Sequence, residues 1–251
     1  MSGIAVGVDG CPGGWIAAVV AGGRIGWRRV PNGQFADLVR AALPALPALA
    51  VMAVDMPIGL VDEGWRRCDL LAKEVLGRAH MRVFLTPPRE VVHLGWSAPN
   101  DQVQRRCREL TGKGISRQAL ALGPRILEVD SCLPDPRIVE AHPELSFAEM
   151  AGRVLASKHR PEGIAERIEV LRGAWAAWAV SPEVGVGYQG DADRLGVSTA
   201  LDARPAGVPI ADALDALAVA WSAGRVLAGV ARSTPAQPQL DPRGVPMAIL
   251  T

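Results

Sequence analysis

The 251-residue chain has no C-x-x-C pair; its four cysteines, Cys11, Cys68, Cys107 and Cys132, are widely scattered. That spacing argues against a zinc site and more strongly against a disulfide framework, and it fits reduced thiols in a cytosolic protein. Long apolar runs are also missing. No uninterrupted stretch approaches the ~20 residues a spanning helix needs, and the most apolar region, 41–60, is broken by Pro44, Pro47, Asp55 and Pro57. The opening Met-Ser-Gly-Ile-Ala-Val places no charged region ahead of an apolar core, so no signal peptide is expected. The expectation is a cytoplasmic protein that does not enter a membrane. An excess of charge is absent as well. The 27 basic and 26 acidic residues leave +1, which excludes a chain basic throughout that coats nucleic acid by bulk electrostatics. Lysine is scarce, with only Lys73, Lys113 and Lys158 against 24 arginines. Arginine forks suit phosphate and carboxylate, although genome composition explains such a bias as readily. Neither an internal repeat nor a low-complexity tract is present. What remains is an ordinary globular composition, 49% hydrophobic and 21% charged, long enough for one elaborated domain or two small ones.

Elements follow from the apolar spacing. Residues 4–8 and 15–20 are short apolar runs separated by Asp-Gly-Cys-Pro-Gly-Gly, which reads as a hairpin, and 24–30 reads as a third strand after Gly22-Gly23. Helical spacing covers 34–43. The continuous apolar run 49–54, ending at Asp55, suits a strand buried on both faces beside a parallel neighbour. Residues 62–132 read as mostly helical. Further on, 137–142 reads as a strand, Pro143 starts a helix near 144–151, and 163–179 and 210–229 read as helices. The tail 233–246, rich in Pro, Ser and Gln, reads as an irregular closing segment. Charge is uneven along this order: 66–125 carries +7 and the remainder −6.

Carboxylates fall at telling places. Asp9 follows the first apolar run, Asp55 ends the fourth, Glu140 lies in the later strand, and Asp212 and Asp215 share one face of the last helix. In an open sheet, function gathers at the carboxyl ends of parallel strands. Converging carboxylates repel unless a cation neutralises them, and hard oxygen ligands select Mg²⁺ or Mn²⁺. Two such ions about 4 Å apart can activate water and stabilise a leaving oxygen in phosphodiester cleavage. Each acid also has an ordinary alternative. Asp9-Gly10 is a common turn pair, Asp55 could cap the next turn, Asp212 could be an N-cap with Asp215 facing the helix dipole, and Glu140 and Glu144 could be helix-start acids.

These pieces resemble a known fold and family. The order β-β-β-α-β, later α/β elements and a last helix resembles the ribonuclease H-like fold. Val8–Trp15 is similar to its opening Asp-Gly hairpin, and Ala211–Ala218 to the acidic last helix of RuvC-type junction resolvases. The whole chain resembles domain-of-unknown-function family 429, described as predicted nucleases. The matching pieces are Val8–Ile16, Asp55–Leu60, Arg66–Asp69, Thr86–Arg89, Glu128–Asp130, Glu140–Glu144 with Ser146-Phe147, Ser157-Lys158 and 212–221. The resemblance implies an α/β fold: a mixed sheet, antiparallel over its first three strands and then parallel, flanked by helices. It implies one domain, 1–251, with a mostly helical basic insertion at about 62–132. It also implies a Mg²⁺- or Mn²⁺-dependent nuclease with Asp9, Asp55, Asp212 and Asp215 as metal carboxylates and Glu140 as a further ligand. Asp55 stands where the resolvase pattern has Glu, one methylene shorter, and the hairpin turn is shorter than in ribonuclease H.

Other residues join the candidate site. His142 could act as general base or position a water, its alternative being a cap or core residue. Arg89, Arg125 and Lys158 could hold substrate phosphate, against the alternative of a solvated helix face. The +7 segment could supply a nucleic-acid surface, with Trp65 and Trp96 stacking on bases or forming the segment's own small core. Two other functions fit the same residues. The Asp9–Gly14 stretch resembles the first phosphate loop of actin-like ATPases and of sugar or pantothenate kinases, but Gly185, Gly187 and Gly190 are weak candidates for the second loop those proteins carry. A non-catalytic binding module would keep the fold as a scaffold.

Overall fold

In a computed structural model that describes residues 3–43, 50–95, 97–180 and 196–251, the chain divides into two compact units. The first comprises Met1–Asp55, Pro136–Arg232 and Leu250–Thr251, and the second Met56–Asp135 and Ser233–Ile249. Trp96, Gly185, Gly187 and Gly190 lie outside the described residues.

The first unit is built on β1 (Ile4–Cys11), β2 (Gly14–Ala21), β3 (Arg24–Pro31), β4 (Ala50–Val54) and β5 (Ile138–Glu140). These strands lie in the order β3-β2-β1-β4-β5. The pairs β1–β2 and β2–β3 are antiparallel, while β1–β4 and β4–β5 are parallel. This is the mixed layout that the ribonuclease H-like resemblance implies. β1 and β4 are buried along nearly their whole length, as central strands covered on both faces must be.

The β1–β2 ladder runs through Asp9↔Ile16 and Gly10↔Trp15 to Cys11↔Gly14. Its turn is therefore Pro12-Gly13, with Gly13 at φ 76°, the left-handed backbone a second turn position demands. Asp9-Gly10 belongs to the strand, not to the turn.

Helices cover both faces of this sheet. α1 (Phe35–Ala42) lies on one, where Phe35 meets Trp15 with ring centroids 4.9 Å apart. The other carries α6 (Pro143–Ala151), α7 (Pro161–Val180), α8 (Val197–Asp202) and α9 (Ile210–Leu227), whose apolar residues form one core with Ala5, Ile16, Ala18, Val51 and Ala53. α9 is buried continuously from Ala213 to Gly224, so it behaves as a core helix, with Asp215 and Ser222 its buried polar residues. It also sits unusually low on β1. A Cβ on Gly7 would stand 2.1 Å from the Ala216 carbonyl oxygen and 2.2 Å from the Ala220 nitrogen. Only glycine permits that backbone-to-backbone approach.

The second unit contains α2 (Arg67–Leu76), a 3-10 turn over Gly77–Arg82, α3 (Arg89–Leu94), α4 (Asn100–Thr111) and α5 (Arg117–Asp130). It also holds β6 (Ser233–Leu240) and β7 (Pro246–Leu250), which pair through a tight turn closed by Asp241 and Val245. The predicted irregular tail is thus mostly strand. β6 has a neighbour on one side only, and an edge strand tolerates Pro235 and Pro238 because half its N–H groups need no ladder partner. Trp65 packs against this unit's core of Val91, Val103, Cys107, Ile115 and Ala119.

No helix among the described residues is long and apolar enough to cross a membrane.

Candidate functional site

Strand register gathers the first two acids. Val8 pairs with Val54, and the Asp55 amide donates to the Val8 carbonyl at 2.8 Å, so Asp9 and Asp55 leave adjacent parallel strands side by side. Paired residues of neighbouring strands point to one side of a sheet. Asp9 and Asp55 therefore point toward α9, as Ala53 and Ala141 do. α9 supplies the other two acids. Its N-cap is Pro209, which makes Asp212 the third helical residue rather than the cap, and Asp215 follows one turn later. Gly7 lies under Ala216 and Ala220, and Asp9, two residues further along β1, feels the charges of Asp212 and Asp215 in the helix's first turns. Asp9 is 8% exposed and Asp215 1%.

The charges of these acids act on one another. Burial pushes Asp9 well above the usual carboxylate range, and the charges of Asp55, Asp215 and Asp212 push it the same way, against Lys158. Burial and Asp215 raise Asp55 to about 8, with Lys158 again opposing. Asp215 is raised by burial too, while the Lys158 ammonium, which donates to its Oδ2, holds it down. The Oδ1 of Asp215 is buried without a hydrogen-bond partner. Burial alone would lower the Lys158 ammonium, but Asp215, Asp9 and Asp55 outweigh it and keep it above its ordinary value. Among the described residues, no three of Asp9, Asp55, Asp212 and Asp215 bring oxygens all within 4.8 Å of one another. The group is an open cluster, not a closed coordination sphere.

Lys158 is placed by a buried scaffold. Arg167 of α7 is fully buried and donates to the Ala156 carbonyl at 2.7 Å, to the Gly163 carbonyl at 2.9 Å and to Glu144 Oε1 at 2.7 Å. The Ala156 amide donates to Glu166 at 2.8 Å. Gly163 lets this loop close onto α7, since a Cβ there would stand 2.0 Å from the Ser157 carbonyl oxygen. The loop is therefore tied on both sides just before Lys158.

The other predicted site residues lie differently. Glu140 pairs with Val54, so it projects from the opposite side of the sheet to Asp9 and Asp55, although its charge still raises Asp55. His142 is the N-cap of α6, its Nδ1 accepting from the Glu144 amide at 3.2 Å, which is the capping role. Arg89 belongs to the second unit, bound to Asp130 at 2.7 Å and to Asp241 at 3.0 Å, with Arg243 also on Asp130. Arg125 lies half-buried on α5 of the same unit.

Two contributors were not among the predicted site residues. Glu144 adds its charge to Asp55 and Asp215, and Arg167 answers Glu144. A signal for Arg167 existed: it precedes Leu171 and Trp175 at four-residue steps, an arginine set in an apolar stripe.

The donor set is carboxylate oxygen with one ammonium, and the partnerless Asp215 Oδ1 sits in it. Such oxygens suit Mg²⁺ or Mn²⁺ rather than soft metals. No curated protein and no solved structure matches the chain. One family model, described as "Protein of unknown function (DUF429)", matches residues 7–240. The chain belongs to that family.

Proposed function

We propose that the cluster of Asp9, Asp55, Asp212 and Asp215 is a divalent-cation centre for hydrolysis of nucleic-acid phosphodiester bonds. What supports the reading is that Asp9, Asp55 and Asp215, two of them nearly sealed from water, share the charge of a single ammonium, with Asp212 acting on Asp9. Such a group is unstable when fully ionised without further positive charge. Asp9 and Asp55 would hold Mg²⁺ or Mn²⁺ directly and Asp212 through one of the ion's waters, with Asp215 beside them. A bound ion of this kind lowers the pKa of its water and stabilises charge on phosphoryl oxygens. The chain's own residues orient and exclude: β1 and β4 fix two carboxylates, α9 fixes the others, and Lys158 presents positive charge to a substrate phosphate. A reducing cytoplasm fits four cysteines that form no disulfide among the described residues.

The test is calorimetry with Mn²⁺ and cleavage of end-labelled DNA and RNA on wild type, Asp9→Asn and Asp212→Asn. Both variants should keep the wild-type circular dichroism spectrum while losing metal binding and cleavage. Full activity in either would overturn the reading. An ATP-dependent thermal shift in protein that cleaves nothing would instead favour the nucleotide-phosphate alternative.

A further inference from the structure

We infer that Lys158 permanently occupies one cation position of the carboxylate cluster, so that the centre takes a single divalent ion, held directly by Asp9 and Asp55. This rests on the metal-centre reading above and adds its stoichiometry and the role of Asp215.

Asp215 is the acid nearest to being unavailable. Its Oδ2 accepts from the Lys158 ammonium, and its Oδ1 is buried with no hydrogen-bond partner. The side chains are 31% and 1% exposed, respectively, so Lys158 is the stopper between solvent and Asp215. A hydrated ion reaching Oδ2 must first displace that ammonium. Displacement is opposed by the loop's anchors. The Ala156 amide and carbonyl are held by Glu166 and by fully buried Arg167, and the Ser157 carbonyl is packed on Gly163. Lysine is suited to this place because its compact ammonium is a point charge, as a metal ion is, on a chain long enough to reach inward.

The ammonium does not serve Asp215 alone. Its charge also acts on Asp9 and Asp55, which makes it a cation shared by three carboxylates. Asp215 is thus a positioning residue for Lys158, and the fixed ammonium stands in for a second ion near the substrate phosphate.

The experiment counts Mn²⁺ on the full-length protein by calorimetry and by electron paramagnetic resonance of the bound ion. Wild type should bind one ion, with the spectrum of an isolated Mn²⁺. Lys158→Met and Lys158→Gln should bind two, with the broadened signal of a coupled pair, because Asp215 Oδ2 is then open to solvent. Two ions on wild type overturn the inference whether or not the variants fold. One ion on wild type and one on a folded variant also overturn it, because the vacated place was then not a cation position. No ion on any of the three proteins would remove the metal-centre reading itself and this inference with it.

Discussion

At the scale of single residues, Asp9 and Asp55 decide how the protein responds to pH. Both carboxyls are raised in the folded chain, Asp55 from 3.8 to about 8. A group that holds its proton more tightly when folded stabilises the fold below its unfolded pKa, and that contribution is lost as pH rises through the folded value. The metal-free protein should therefore lose stability steadily between about pH 4 and pH 8. Urea melts at intervals across that range would show it, and Mn²⁺ should restore more stability at pH 8 than at pH 5. A metal-free midpoint that rises with pH over the same window would contradict the assignment. These two acids were legible in the sequence because each ends an apolar run. Glu140 was read from the same kind of position. A period of two along β5 puts it on the other side of the sheet, and one sequence without its register does not fix that parity.

At the scale of elements, the central relation is α9 lying on β1. Alanines fill the contact and Gly7 removes the last obstacle, so a methyl group at position 7 has only backbone to meet. Gly7→Ala should destabilise the protein by about 3 kcal/mol, the upper end of the range for overpacking a core. It should also weaken Mn²⁺ binding, because Asp212 and Asp215 must move with the helix. Denaturation and calorimetry on the same variant check both, and an unchanged melt would show that the helix yields freely. The apolar run of α9 was plain from sequence, as was its acidic face. Its depth on the sheet was not, because a close approach is a property of two segments some 210 residues apart. The Arg167–Glu144 pair was hidden for a similar reason: arginine normally reports a solvated face, and only the packed stripe shows otherwise.

At the scale of the whole chain, the apparent basic insertion changes character. Residues 66–125 carry +7, but the structural unit that contains them runs over 56–135 and 233–249 and holds 13 basic against 11 acidic residues. Several of its arginines are already paired, Arg66 with Asp69, Arg89 with Asp130 and Asp241, and Arg106 with Glu90 and Glu109. The narrower count missed this because Asp62, Glu63, Glu128, Asp130 and Asp135 lie just outside 66–125, while the late segment adds only Asp241 and Arg243. Asp241 also accepts from the amides of Leu60, Arg243 and Val245, which makes the late segment part of the unit's internal wiring. A chain ended at Arg232 should accordingly show faster amide exchange over 56–135, while β1–β4 keep their protection. Exchange rates unchanged in α3 and α5 would show that the unit does not depend on its last strands. The same separation has a consequence during synthesis. Arg89 and Asp241 stand 152 residues apart. At about 5–20 residues per second, the carboxylate leaves the ribosome roughly 8–30 s after its guanidinium. Asp9 likewise waits for Lys158. The second unit's ion-pair network is completed only when Asp241 and Arg243 emerge.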